Sequence, residues 1–145
     1  MWICRSTLAA VTSLAAAGVL AGCTPTGPQA AGPVRPVYTA DLQGAAKRCS
    51  VNSVTPVAGK VVIATMTVGN EGGWCAISVH QPGPAPFAAG LLTRFATHGR
   101  VHIHPVGDHT RIDYTPDAGY AGPDSFLVTL LPDRSEVQAN VTVVR

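Results

Sequence analysis

At 145 residues, of which 46% are hydrophobic and 12% charged, the chain has room for one modest domain. Ten Lys and Arg against eight Asp and Glu leave a formal charge of +2. That balance supplies little drive toward nucleic acid, whose binders concentrate Lys and Arg on one face, so nucleic acid is set aside as a partner. Beyond the N-terminal segment no stretch is long and apolar enough to cross a bilayer as a helix.

The N-terminus reads as an export signal. Arg5 is its only charge, an apolar run extends from Leu8 to Leu20, and small residues precede Cys23. Leu20-Ala21-Gly22-Cys23 resembles the lipobox of bacterial lipoproteins. The resemblance implies that the Cys23 thiol receives diacylglycerol, that residues 1–22 are cut away, and that the new amino group is acylated. Two or three acyl chains, each contributing ~0.8 kcal/mol per buried CH₂, would hold the protein at a membrane. Thr24 rather than Asp follows the cysteine, which in a cell with two membranes implies an outer-membrane address. Residues 23–36 then form a tether: four prolines and two glycines between Thr24 and Pro36 oppose both helix and sheet. Residues 37–145 are left for the folded domain.

Within that domain a turn or two of helix is expected over Leu42 to Lys47. Strand signals follow at Val61 to Val68 and Trp74 to Val79, bounded by glycines. Pro82 to Pro86 reads as a stiff loop, and Phe87 to Phe95 as a second short helical stretch. Alternating strands are expected around Val101/Ile103 and Ile112/Tyr114, then over Phe126 to Leu131 and Val137 to Val144. The pattern predicts an all-β, immunoglobulin-like sandwich of about seven strands. Cys49 and Cys75 are expected to pair in an oxidising compartment, closing a loop that would stabilise the fold by about 3 to 4 kcal/mol.

The run from His98-Gly99 through Tyr114-Thr115-Pro116-Asp117-Ala118-Gly119-Tyr120-Ala121-Gly122-Pro123-Asp124-Ser125-Phe126 resembles a signature of bacterial Ig-like and cadherin-like surface modules. The resemblance covers the C-terminal two fifths of the mature chain and implies architecture rather than ligand. The residues themselves suggest that Tyr114, Tyr120 and Phe126 pack toward one core while Asp124 accepts N–H bonds from a loop. Asp117 and Asp124 lack the dense oxygen set that calcium requires.

Histidines are the one concentrated reactive type. In an extended strand His102 and His104 share a face, which makes them candidate zinc or copper ligands, with His98 or His109 able to approach. Asp108 beside His109 points the opposite way in extended chain and makes no dyad. Ser125 and Ser135 lack a nucleophile-elbow context, so no enzymatic activity and no cofactor are expected. Trp74, beside Gly72-Gly73, and Phe87, after the proline loop, are the candidate partner-binding residues, and Val137 to Val144 the candidate free edge. The sequence thus predicts an envelope lipoprotein, a structural or accessory subunit docking on another envelope or surface-assembly protein such as a fibre, pilus or coat. The alternative is a periplasmic zinc- or copper-binding protein using surface histidines.

Overall fold

The computed structural model describes residues 35–145 apart from Pro84. The leader, the lipobox with Cys23, and the tether as far as residue 34 lie outside the described residues. What is described is an all-β domain of eight strands: β1 Cys49–Val51, β2 Val61–Gly69, β3 Cys75–Val79, β4 Ala89–Arg94, β5 Gly99–Val106, β6 His109–Pro116, β7 Gly122–Leu131 and β8 Ser135–Val144.

Five strands form one sheet in the order β1-β2-β8-β7-β4, and three form the other in the order β3-β6-β5. All pairings are antiparallel except β2 with β8, which run parallel over nine residue pairs from Val61↔Glu136 to Gly69↔Val144. The core follows from period-two alternation, in which every second side chain of a strand faces the opposing sheet. Met66 and Val68 of β2, Val137 to Val143 of β8 and Phe126 to Leu130 of β7 meet Ile77 of β3 and Ile112 and Tyr114 of β6. Tyr114 and Phe126 stack across the sheets with ring centres 5.8 Å apart.

Three expectations are corrected. The stretch Phe87 to Phe95 is not helical: β4 occupies its centre, because pairing Leu91 with Thr129 and Leu92 with Val128 satisfies backbone groups that one exposed helical turn would leave to water. The helical turn lies over Thr39–Leu42 as 3₁₀ rather than over Leu42 to Lys47, with the Asp41 carboxylate accepting the Tyr38 N–H at 2.9 Å. Nor is Val137 to Val144 a free edge; β8 sits inside the larger sheet, between β2 and β7.

The two long sides of the sandwich are closed differently. On one, edge strands β1 and β3 are joined across the sheets by the Cys49–Cys75 disulfide. Ala46 packs here against Gly73 so tightly that a side chain at Gly73 would run into the Ala46 backbone. On the other, β4 and β5 meet through Gly90, where an added Cβ would fall 2.6 Å from Ile103 Cγ2. Both of these last edges carry defences against strand addition: an irregularity between Leu92 and Arg94, and Pro105 in β5.

Candidate functional site

Sequence reasoning pointed at side chains on the smaller sheet, and that sheet's outer face is not free. Residues 35–46 cross it as a strap. The Arg35 N–H donates to Asp108 Oδ1 at 3.1 Å at one end, and Ala45 bridges Trp74 at the other. In between, Arg111 donates to the Asp41 carbonyl, and the Trp74 indole N–H donates to the Gln43 carbonyl at 2.8 Å. This explains why β6 is buried on both faces from Thr110 to Tyr114.

Under the strap lies a connected polar cluster. Arg111 grips Asp113 with two bonds, Nε to Oδ1 at 2.8 Å and Nη2 to Oδ2 at 2.9 Å, and both side chains are only 8% exposed. The Arg111 guanidinium lies 4.0 Å from the centre of the Trp74 ring, a cation–π contact strengthened where water is excluded. His104 Nε2 sits 3.0 Å from Asp113 Oδ2, and the His102 ring is 4.6 Å from that of His104. The register makes this cluster: His102 lies opposite Asp113, and His104 opposite Arg111.

The predicted site residues therefore fare differently. His102 and His104 share a face, but His104 is committed to Asp113. Among the described residues no three His, Cys, Asp or Glu side chains are placed to hold a metal ion. Trp74 is half-buried, its N–H and one ring face already used by the chain itself. Phe87 is not presented by the proline loop: it is 6% exposed and belongs to the core, with its N–H bonded to Thr110 Oγ1 at 2.8 Å. The hydrophobic gain from burying a ring outweighs any display on a loop. His109 meets His80 edge to face at 5.2 Å, while Asp108 is occupied by Arg35.

At the far end of the domain Asp124 organises the β4–β5 connection. Its Oδ1 accepts the N–H groups of Thr97 and Ser125 at 3.0 and 2.8 Å; its Oδ2 accepts the His98 N–H and the Tyr114 hydroxyl, both at 2.9 Å. Burial works to raise the Asp124 pKa, but these donors outweigh it and hold the carboxyl below its ordinary value. Burial, reinforced by the Asp124 charge, pushes the Tyr114 hydroxyl far above the ordinary phenol range. With about four lone-pair sites and four donors, the carboxylate has little left for calcium. Asp117 contributes its carbonyl to Asn70 and Tyr120.

The outer face of the five-stranded sheet is open, and reasoning from sequence missed it because its residues are spread over four strands. In the half nearer the start of β2, Val61, Ile63 and Leu91 are 56%, 59% and 48% exposed, and Phe95 just beyond β4 is 74% exposed. Arg94 and Gln138 are hydrogen-bonded across the same half. The other half is uncharged: Thr65, Asn140 and Ser125 lie side by side on β2, β8 and β7. No protein-family model matches the chain, and no curated protein matches it by sequence.

Proposed function

We propose that this chain is a non-enzymatic, lipid-anchored envelope protein whose immunoglobulin-like sandwich docks on another envelope or surface-assembly protein through the open face of its larger sheet. The observation that carries the docking reading is the exposure of Val61, Ile63 and Leu91 on one half of that face, with Phe95 exposed just beyond its β4 edge. Val61 and Ile63 stand together on β2 while Leu91 lies across Glu136 and Thr129, so a partner would meet apolar and polar side chains in alternation, as in the mixed composition of non-obligate interfaces. The opposite outer face is covered by the chain's own strap, which exposes Val37, Tyr38 and Leu42 in its turn. The immunoglobulin-like assignment is supported by a first long strand running parallel to the last and by a disulfide joining the two sheets. Export and anchoring are supported by the Leu20-to-Cys23 motif and by the disulfide, a bond characteristic of oxidising compartments.

Two measurements test the reading. Metabolic labelling with palmitate should mark the protein and be lost in Cys23→Ala; an unlabelled wild-type protein removes the anchor from the proposal. A photo-crosslinking residue at position 95 should capture one envelope protein of constant mass in intact cells, and the adduct should vanish in Ile63→Lys. A ladder of many adducts, or an adduct indifferent to Ile63→Lys, sinks the docking surface.

A further inference from the structure

We propose that the uncharged half of the same open face is a binding groove for a neutral glycan strand, the sugar backbone of the cell wall being its source. A groove of about 540 Å³ lies there, lined by Thr65, Thr97, Pro123, Ser125, Asn140 and Thr142 among others. Its polar groups are threonine and serine hydroxyls, the Asn140 amide, the His98 imidazole and the Asp124 carboxylate. The one carboxylate in the lining, Asp124, is saturated by Thr97, His98, Ser125 and Tyr114, so the groove has no unspent carboxylate to attract a cation.

Sheet register turns these groups into an array. Thr65, Asn140 and Ser125 form one row across three adjacent strands; Thr67, Thr142 and Pro123 form the next. Neighbouring strands stand ~4.8 Å apart, close to the length of one pyranose residue, so a sugar chain lying along the Thr65, Asn140 and Ser125 row meets a polar side chain at each ring. Thr65, Thr97 and Ser125 make their bonds to side chains through backbone N–H groups and line the groove with their side chains, Thr65 and Thr97 exposed and Ser125 half-buried. Each hydroxyl is both donor and acceptor, and the Asn140 amide, whose oxygen accepts from Gln138 Nε2 at 3.4 Å, has its N–H₂ to donate to an acetamido or hydroxyl oxygen.

The rim is pre-organised. His98 stacks on Tyr120 at 4.0 Å with the rings 11° from parallel, and the Tyr120 hydroxyl donates to the Pro123 carbonyl at 2.6 Å. Binding to such a surface costs little ordering of the protein. The inference concerns a different half of the face from the docking surface and does not rest on it; only the choice of wall glycan as the source uses the exported location.

The test is a titration of the full mature protein, ¹⁵N-labelled and held in detergent micelles, with chitotetraose as probe. Saturable amide shifts centred on Thr65, Thr97, Ser125, Asn140 and Thr142 are expected, and Asn140→Leu should weaken binding at least tenfold. Thr65→Val, a change at an exposed strand position that leaves the fold intact, should weaken it severalfold and keeps the test decisive if Asn140→Leu disturbs folding. The protein should also sediment with purified peptidoglycan and not be displaced by heparin. Absent shifts, shifts centred elsewhere, affinity unchanged by both variants, or preference for heparin would each overturn the proposal.

Discussion

The two outer faces of the sandwich start from the same alternation of strands and end in opposite conditions. On the smaller sheet the outward positions of β6 are Arg111 and Asp113, and the chain has to lay its own residues 35–46 over them. On the larger sheet the outward positions of β2 and β8 include Val61, Ile63, Thr65, Glu136, Gln138, Asn140 and Thr142, and these stay at the surface. A buried ion pair needs its cover, since water lost from two charges is replaced only by their mutual contact and by the Trp74 ring, the Asp41 carbonyl and His104. An open face of hydroxyls and isolated apolar groups needs none. The charged contacts that hold the fold are therefore concentrated on one face, and the other is the one left open for the recognition proposed above.

The sharpest way to break that contrast is Asp113→Ala. It strands Arg111 under the strap, and a loss of about 3 to 5 kcal/mol is expected in urea denaturation. Replacing both partners, Arg111→Met with Asp113→Leu, should recover most of the loss, because the uncompensated charge goes with its partner. A single variant within about 1 kcal/mol of wild type would show that the strap holds the face without the pair. Next in size is the staple: Cys49→Ser with Cys75→Ser releases a loop of separation 26 and should cost about 3 to 4 kcal/mol.

Asp124 comes third. Asp124→Asn puts an amide N–H₂ where four donors converge, and a cost of about 2 to 3 kcal/mol is expected. The pH dependence has a definite sign. Because the folded carboxyl is held below its ordinary value, the unfolded chain takes up the proton first as pH falls, so the Asp124 contribution is complete above about pH 4 and is lost below it, through the depressed folded pKa. The stability gap between wild type and Asp124→Asn should shrink as pH falls from 5 to 3. A gap that stays constant would show that the carboxylate's charge contributes nothing.

Strand periodicity made most of this architecture legible before any coordinates. Six strands declared themselves through β-branched alternation, and the disulfide followed from two cysteines in a chain read as exported. The reading of the Tyr114-to-Phe126 run is met in part: Tyr114 and Phe126 share one core with Tyr120 packed half-buried against it, but the N–H groups that Asp124 accepts belong to the β4–β5 connection and to Ser125, not to the loop between Pro116 and Gly122. The structure adds why glycine follows His98. Tyr114 lies against Gly99, whose added Cβ would sit 2.5 Å from the ring, so Gly99→Ala should cost about 1 to 3 kcal/mol by overpacking, measured by thermal denaturation. What stayed hidden depends on pairing partners far away in sequence. β4, with Gly90 and an irregularity after Leu92, carries a weak local signal and forms because β7 is there. Phe87 next to a proline loop reads as display until the core claims it. The Trp74, Arg111, Asp113 and His104 cluster needs the register of three strands and a strap that composition alone marks as ordinary loop.

The smallest effect is the most informative about function. Ile63 stands 59% exposed on β2, opposite Gln138, with little packing to lose. Ile63→Lys should change stability by about 0.5 kcal/mol or less, the ordinary range for a surface substitution. If that face is a docking surface, the same change should abolish the crosslink from position 95, because a lysine ammonium pressed against an apolar partner loses hydration without gaining an acceptor. The pairing of a null effect on unfolding with a full loss of association is what distinguishes the open face from the strapped one, where Asp113→Ala should do damage through stability first. Should Ile63→Lys destabilise the domain by several kcal/mol, the larger sheet is also covered in the folded protein and the asymmetry between the two faces disappears.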